Sequence, residues 1–142
     1  MPQKPFVVVA GFGLPGRSLV ELLRSRAIEY AVIELNPQTC HRVAAGNVNI
    51  IQGDASDLEI LKQAGVERAI LVALLVPDDS VNLRAITNVR KLNPTAQIIA
   101  RCSFTSTGFE AIRRGANQTI VAEQVVAREL DRLAGNLLQP GI

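Results

Sequence analysis

The sequence has little of the side-chain chemistry on which enzymes and metal sites depend. Its 142 residues include one histidine, one tyrosine, two cysteines and no tryptophan. Cys40 and His41 are neighbours and Cys102 is distant, a spacing that does not match metal ligands. Successive side chains on a helix also point apart. We therefore expect these residues to be structural or surface groups and predict no metal site.

Familiar catalytic arrangements are missing as well. Tyr30 has no lysine four residues later, as short-chain dehydrogenases require, and the sequence contains neither Gly-x-Ser-x-Gly nor a phosphate-loop lysine. A chain of 142 residues forms one domain, too short for a nucleotide domain with a separate catalytic domain. The sequence therefore predicts no catalytic residue and favours binding without chemistry.

Charge and hydropathy exclude two classes of partner contact. The net charge is +2, from 15 basic and 13 acidic residues. The sequence has no stripe of basic residues interleaved with aromatics, the pattern that indicates nucleic-acid binding. The longest apolar run, residues 69–76, is far shorter than the roughly 20 residues that span a bilayer. We expect an intracellular chain without a transmembrane segment and without nucleic acid as a partner.

The most informative feature is a glycine-rich turn after the first apolar run. Gly11 permits a tight turn, Gly13 lets backbone approach a pyrophosphate, and Gly16 lets a helix pack on the preceding strand. Proline is tolerated in a first helical turn, and an arginine there opposes the helix dipole but suits a phosphate. The turn predicts a phosphate at a helix N-terminus and comprises Gly11, Phe12, Gly13, Leu14, Pro15, Gly16 and Arg17.

Glu34 ends the next apolar run, 18 residues beyond Gly16. In dinucleotide-binding folds an acidic residue about 20 residues after the glycines holds a ribose 2′-hydroxyl. An acid at this position disfavours a 2′-phosphate, so NADP is the less favoured ligand. The alternative is that Glu34 is a solvated residue at a strand end and that the glycines serve the turn alone.

Apolar runs alternate with helical patterns to the end of the chain, and with 48% hydrophobic but 4% aromatic residues the core is aliphatic, as in parallel sheets buried on both faces. We predict an α/β, Rossmann-like, doubly wound and mainly parallel six-stranded sheet in one domain, residues 1–142, with 135–142 as a tail or the start of a linker. A capping box of Ser56 and Glu59 opens the third helix. The predicted strands are 5–10, 30–35, 49–52, 68–76, 97–101 and 119–121, and the predicted helices are 17–26, 37–45, 56–64, 81–92, 106–114 and 123–133.

Asp54 and Ala55 follow the third predicted strand, where the adenine edge of a bound nucleotide would lie. A carboxylate there can accept a hydrogen bond from an exocyclic amine. Asp54 can equally be an acid placed favourably ahead of a helix N-terminus.

With these residues the chain resembles, over nearly its whole length, the RCK (regulator of K⁺ conductance) or Trk-type N-terminal nucleotide domain. Its last segments look most like the domains appended to Kef-type monovalent cation:proton antiporters. The resemblance is carried by residues 11–16, Glu34, residues 53–55, Asp79, Asn82, residues 99–101, residues 114–117, residues 122–123 and residues 127–130.

The resemblance implies a role for each matching residue. The glycines of the turn surround the phosphates, Glu34 with Leu35 holds a ribose, Asp54 with Ala55 faces the adenine, and Arg101 reaches a phosphate or a neighbouring ligand. It implies AMP or NAD(H) as the ligand, with ADP or ATP also admitted. It further implies a homodimer on the cytoplasmic side of the membrane, covalently attached to a cation transporter or associated with it as a separate subunit.

Two other classes remain open on the sequence. One is a small Rossmann enzyme, an oxidoreductase or a methyltransferase, completed by a partner chain. The other is a fold kept for dimerisation with an empty site. The apolar stripes that would pair two copies, or that would simply cover the sheet, are Val81, Ala85 and Val89 in one helix and Val125, Val126, Leu130 and Leu133 in another.

Overall fold

The computed structural model describes residues 4–140 and contains six strands alternating with six helices. A short 3₁₀ turn, Val66–Arg68, precedes the fourth strand. The strands are β1 (Phe6–Ala10), β2 (Glu29–Glu34), β3 (Ile50–Gln52), β4 (Leu71–Leu74), β5 (Gln97–Cys102) and β6 (Gln118–Val121). The helices are α1 (Leu14–Ser25), α2 (Pro37–Ala44), α3 (Leu58–Ala64), α4 (Asp79–Leu92), α5 (Thr105–Arg114) and α6 (Ala122–Leu137).

The strands form one sheet in the order β3-β2-β1-β4-β5-β6, and every pairing is parallel. Val8 in the middle of β1 lies between Ala31 of β2 and Val72 of β4. The chain builds outward from β1 to β3 and then crosses back to β4, which makes the boundary between β1 and β4 the topological switch point. The predicted Rossmann-like fold class is confirmed.

The core lies on both faces of the sheet because β1 alternates its side chains between them. Val8 packs in one cluster with buried residues of α3, α4 and α5, whereas Val7 and Val9 pack in the other with Val20 and Leu23 of α1. All five residues of β1 are buried. A strand buried on both faces explains the continuous apolar run in the sequence.

The two predicted apolar stripes have different environments. Ala85 and Val89 of α4 are fully buried against the sheet, so that stripe covers the core. In α6 no residue is buried, and Val126 and Leu130 are 67% and 62% exposed. The α6 stripe is therefore free of the core of this domain.

The capping box predicted at Ser56 and Glu59 is wrong. The N-cap of α3 is Asp57, whose side chain accepts a hydrogen bond from the Glu59 N–H at 2.9 Å. Ser56 instead donates its hydroxyl to Asp54 Oδ1 at 2.7 Å. Asp54 lies two residues before Ser56 and Asp57 directly after it. A carboxylate is a stronger acceptor than a hydroxyl, so Asp57 takes the Glu59 N–H and Asp54 takes the Ser56 hydroxyl.

Element boundaries differ from the prediction at the fourth strand and the last helix. β4 covers only residues 71–74 of the predicted 68–76, because residues 66–68 form the 3₁₀ turn. α6 continues to Leu137, so residues 135–137 of the predicted tail are helical, and residues 141–142 lie outside the described part. Gly135 is exposed, where a glycine costs a helix only about 1 kcal/mol. No helix within residues 4–140 has the length and apolar character needed to cross a membrane.

Candidate functional site

A cavity of about 390 Å³ opens at the carboxyl ends of the strands, across the switch point between β1 and β4. The loops after β1, β2, β3 and β4 contribute to its walls, as does Arg101 near the end of β5. Ten of the twelve residues predicted to bind a ligand line it: Gly11, Phe12, Gly13, Leu14, Pro15, Glu34, Leu35, Asp54, Ala55 and Arg101.

The three glycines of the turn serve different purposes. Gly11 has φ +98°, a backbone conformation that side chains rarely adopt. At Gly16 a Cβ would lie 2.0 Å from the carbonyl oxygen of Gly11, so this glycine allows α1 to pack on the turn. Gly13 has an ordinary φ of −75°, and a Cβ there would meet only Pro15 Cδ, at 4.0 Å. No neighbouring atom of the described chain excludes a Cβ at position 13, where glycine is the N-cap of α1, and Gly13 lines the cavity.

The N-terminus of α1 differs from those of the three helices that follow it. Side chains cap α2, α3 and α4: Asn36, Asp57 and Asp78 each accept hydrogen bonds from first-turn N–H groups. Among residues 4–140 no side chain caps α1, whose N-cap is Gly13 and whose first turn contains a proline. The α1 terminus therefore presents donors and a partial positive charge to the cavity.

Glu34 is fixed by the turn that it faces. Its Oε1 accepts the Phe12 N–H at 2.9 Å and its Oε2 accepts the Asn36 N–H at 2.8 Å. A carboxylate offers about four lone-pair positions, so two hydrogen bonds leave acceptor capacity toward the cavity. Glu34 thus both shapes the glycine turn and presents an oriented acceptor.

Asp54 is held as an ionised acceptor at the end of β3. Its Oδ1 accepts the Ser56 N–H at 2.8 Å and the Ser56 hydroxyl at 2.7 Å. These hydrogen bonds, followed in importance by the positive charge of Arg84, lower the pKa of Asp54 below its ordinary value. Its Oδ2 accepts no hydrogen bond from any described residue, which leaves it available to a donor in the cavity.

Arg101 brings a positive charge to the opposite wall, at the end of β5. Its guanidinium donates no hydrogen bond and makes no ion pair within residues 4–140, although it is only partly exposed. A guanidinium is a planar fork of donors suited to carboxylates and phosphates. The uncapped α1 terminus and Arg101 are therefore two features at this cavity that suit an anion.

The other predicted residues lie outside the cavity wall. Gly16 lies beneath the turn, where its packing on Gly11 matches the predicted role. Arg17 is exposed in the first turn of α1 and does not line the cavity.

The two cysteines and the histidine do not lie together at the cavity. The buried Cys40 thiol donates a hydrogen bond to the Glu34 carbonyl at 3.3 Å, Cys102 is also buried, and His41 is exposed. No cluster of three or more metal-ligating side chains occurs among the residues that the structure describes.

Sequence reasoning missed several residues of the wall and its support. Asp78 lines the cavity and caps α4, accepting the N–H groups of Ser80 and Val81 at 3.0 and 3.3 Å. Behind the wall, Asn82 is 1% exposed and its Nδ2 donates to the carbonyls of Val76 and Arg101 at 2.7 and 3.0 Å. An Asp two residues before a Ser at a helix start is a capping signal that could have identified Asp78. The double bridge from Asn82 has no local signal.

The site can hold a ligand that carries an anion and several hydrogen-bond donors. The anion would face the α1 terminus, with Arg101 across the cavity, while Glu34 and Asp54 accept from hydroxyl or amine groups. Apolar walls from Leu35, 65% exposed, and from buried Ala55 suit a flat ring.

Comparison with protein families gives one match over most of the chain. The TrkA-N domain matches residues 7–122. Potassium channel protein 1 of Methanocaldococcus jannaschii is 28% identical over 131 residues, 91% of this chain and 39% of that protein. Glutathione-regulated potassium-efflux system protein KefC of Klebsiella pneumoniae is 29% identical over 99 residues, 70% of this chain and 16% of that protein. The chain thus spans less than half the length of either relative.

Solved structures share the fold over nearly the whole chain. The TrkA-N domain of inner membrane protein ybaL from Escherichia coli has a TM-score of 0.86 and 27% identity, covering 94% of this chain and 98% of that one. The AMP-bound Kef CTD of Shewanella denitrificans has a TM-score of 0.82 and 21% identity, covering 96% and 82%. The GsuK channel bound to NAD has a TM-score of 0.81 and 22% identity, covering 92% and 24%.

Proposed function

Since the chain belongs to the TrkA-N domain family, we propose that it binds an adenine nucleotide, AMP or NAD(H), and through that binding regulates a potassium or other monovalent cation transporter. Its relatives include a potassium channel and a potassium-efflux protein, which supports the transport setting. The proposal needs no catalytic residue, because the ligand acts by favouring one shape of the domain over another.

One observation supports nucleotide binding above the others: the space beside Gly13 at the uncapped α1 terminus. The fold does not require glycine there, since a Cβ would contact only Pro15 Cδ at 4.0 Å. A Cβ would, however, fill the cavity beside the free N–H groups, where the phosphate of a nucleotide would lie. Glycine at this position therefore suits the N-cap of α1 and also leaves the most room for a ligand.

The remaining walls suit the rest of an adenylate. Glu34 would accept a ribose hydroxyl, Asp54 Oδ2 would accept the adenine amine, and Leu35 with Ala55 would contact the ring. Arg101 would meet the phosphate from the other side. AMP and NAD(H) share this half, and one solved relative is bound to AMP and another to NAD. ADP and ATP extend the same half, while the carboxylate of Glu34 disfavours the 2′-phosphate of NADP.

We place the domain on the cytoplasmic side of the membrane, attached to the transporter or associated with it as a separate subunit. We also propose a homodimer, paired through α6. All four residues of the predicted stripe, Val125, Val126, Leu130 and Leu133, are exposed. Val126, Leu130 and Leu133, together with the exposed Leu137, have the spacing of a coiled-coil seam. Leu130→Asp should convert a dimer to a monomer, as measured by light scattering, and an unchanged mass would contradict this interface.

The experiment for the nucleotide site is titration calorimetry with AMP, ADP, ATP, NAD⁺, NADH, NADPH and S-adenosylmethionine, on the wild type and on Gly13→Ala. We expect AMP or NAD(H) to bind the wild type and Gly13→Ala to lower the affinity at least about tenfold, with the free energy of unfolding lowered by no more than about 1 kcal/mol because alanine is a poorer N-cap than glycine. Gly135→Ala is the matched control, because a Cβ at position 135 meets nothing within 4 Å. It should leave the affinity unchanged.

Other outcomes would contradict the proposal. Binding of S-adenosylmethionine alone would indicate a methyltransferase, and oxidation or reduction of an added substrate with NAD(H) would indicate an oxidoreductase. Absence of binding to every compound would leave a fold kept for dimerisation. Glu34→Ala is a less clean test, because it also removes the acceptor of the Phe12 N–H and so alters the turn itself.

A further inference from the structure

Residues 101–105, which are the end of β5 and the connection to α5, begin at the cavity and are held from the first residue. The side chain of Arg101 lines the cavity, and its carbonyl accepts a hydrogen bond from Asn82 Nδ2 at 3.0 Å. The same Nδ2 donates to Val76, another residue of the wall, at 2.7 Å. Asn82 Oδ1 is buried and has no partner among the described residues, so Asn82 gives up one hydrogen bond while bridging β4 to β5.

Two residues further along, the segment is held again. Asp79 accepts the Ser103 N–H at 3.0 Å with each of its oxygens, and it accepts the Ser103 hydroxyl at 3.0 Å. Asp79 directly follows Asp78, which lines the cavity and caps α4. Ser103, in the middle of the segment, is therefore attached by hydrogen bonds to the start of α4, which borders the cavity.

The third attachment joins the segment to another helix. Glu123, in the first turn of α6, accepts the Thr105 N–H at 2.8 Å and the Thr105 hydroxyl at 2.7 Å. Gln124 donates to the same hydroxyl at 3.1 Å. Phe104, the N-cap residue of α5, offers no side-chain acceptor. The first N–H of α5 is thus satisfied by a residue of α6.

No residue of α6 is buried, and its two side chains on Thr105 lie in its first turn. An element with few buried contacts opens and shifts at a low cost in free energy. Within one domain, leaving aside the proposed dimer contact, the position of α6 therefore depends strongly on the hydrogen bonds at its start.

We propose that residues 101–105 transmit occupancy of the cavity to α6, with the hydrogen bonds between Glu123 and Thr105 as the joint. This inference rests on the proposed function, since a nucleotide phosphate must draw the free guanidinium of Arg101. A shift of Arg101 moves the chain that carries Ser103 and Thr105, and Thr105 moves α6. Such coupling is reciprocal, so loosening the joint also changes the affinity for the nucleotide.

The test is amide hydrogen exchange of residues 122–137 with and without AMP, with calorimetry on the same samples. In the wild type we expect AMP to slow exchange in α6 at least about threefold. In Glu123→Ala, AMP should still bind while exchange in α6 no longer responds. Glu129→Ala is the matched control, because Glu129 bonds only Arg132 of its own helix among the described residues. It should respond as the wild type does.

Two results would overturn the coupling while leaving nucleotide binding intact: AMP binds without slowing exchange in α6, or Glu123→Ala responds like the wild type. A further comparison, between Asp79→Ala and Asp57→Ala, needs no ligand. Asp79→Ala should speed exchange in α6 relative to β1, whereas Asp57→Ala, which uncaps α3, should not. Equal exchange in the two variants would refute the link, and failure of calorimetry to detect any nucleotide would refute the proposed function on which the coupling rests.

Discussion

An arginine lies at each end of the parallel strands: Arg90 of α4 at their amino-terminal ends, the amino edge, and Arg101 of β5 at their carboxyl-terminal ends, the carboxyl edge. The two arginines differ in the hydrogen bonds that they make. At the amino edge, Arg90 donates to the carbonyl of Ala96 at 2.6 Å, to that of Gly115 at 3.0 and 2.8 Å, and to Asn117 Oδ1 at 2.8 Å. At the carboxyl edge, Arg101 donates no hydrogen bond to any described residue. The first arginine joins parts of the fold, and the second makes no such contact within residues 4–140.

The same contrast extends to the neighbours of each arginine. Asn93, 6% exposed, donates to the carbonyls of Val66 and Ala69 at 2.9 Å and accepts from the N–H groups of Thr95 and Ala96. At the other edge the α1 terminus has no side-chain cap. Polar groups at the amino edge are satisfied within the chain, whereas the α1 terminus, Asp54 Oδ2 and the Arg101 guanidinium at the carboxyl edge have no side-chain partner among the described residues. Separate effects on stability and on affinity are therefore expected from the two edges.

Gly16→Ala has the largest expected effect and is the exception to this contrast, because the effect is on stability. Gly16 lies at the carboxyl edge, yet its Cβ would meet the Gly11 carbonyl oxygen at 2.0 Å, far inside van der Waals contact. We expect the free energy of unfolding to fall by about 4 kcal/mol. Urea denaturation measures it, with Gly13→Ala as the neighbouring control. Similar stability of the two variants would show that α1 can move away from the turn, contrary to the packing described above.

Arg90→Ala should lower the free energy of unfolding by about 3 kcal/mol, because it leaves partly buried carbonyls without donors. Nucleotide affinity measured at a temperature where the variant is folded should stay at the wild-type value. Arg113→Ala is the control, since the Arg113 side chain is 80% exposed and pairs only with Glu110 on its own helix within residues 4–140. Its effect should be below about 0.5 kcal/mol. A large loss of affinity in Arg90→Ala would break the separation of the edges.

The fold could be predicted from sequence because its signals are local. Apolar runs alternating with helical patterns give the six strands, and the demand of a strand-to-helix turn for glycine identified Gly11 and Gly16. The hydrogen bonds of Arg90 could not be predicted, since Gly115 lies 25 residues away and carbonyl acceptors carry no sequence identity. At Ser56 two rules competed, and the acceptor strength of Asp54 and Asp57 decided against the predicted capping box.

At the site, the sequence predicted ten residues of the cavity wall and a role for each, but not the hydrogen bonds that fix them. Glu34 was predicted to hold a ribose, and the structure shows that it also fixes the turn through Phe12. The roles of Gly13, Asp54 and Arg101 toward a nucleotide remain predictions. Arg17 was predicted from helix position alone, which does not determine on which side of the first turn a long side chain lies.

Arg101→Ala tests the carboxyl edge directly. Removal of a charge-assisted hydrogen bond to phosphate should weaken AMP binding by about 2 kcal/mol, or about thirty-fold, with stability unchanged. Adenosine, which lacks the phosphate, should bind the variant and the wild type equally. Arg17→Ala is the matched comparison, since it removes the same charge from a side chain outside the cavity wall. An equal loss of affinity in both variants would assign the phosphate to Arg17 as well.

The smallest expected effect concerns Asp54, whose pKa is lowered chiefly by the hydrogen bonds from Ser56. A carboxyl group with a lower pKa in the folded protein adds stability above its unfolded pKa, and this stability is lost as pH falls through the folded value. Ser56→Ala should raise the pKa of Asp54 toward its ordinary value and flatten this acid dependence. Because Asp54 is partly exposed, the change should stay below about 1 kcal/mol. Carboxyl NMR titration measures the pKa, with Ser80→Ala beside Asp78 as the control. An unchanged pKa in Ser56→Ala would mean that the Ser56 hydroxyl is not needed to keep Asp54 ionised, and that the N–H of residue 56 and the charge of Arg84 suffice.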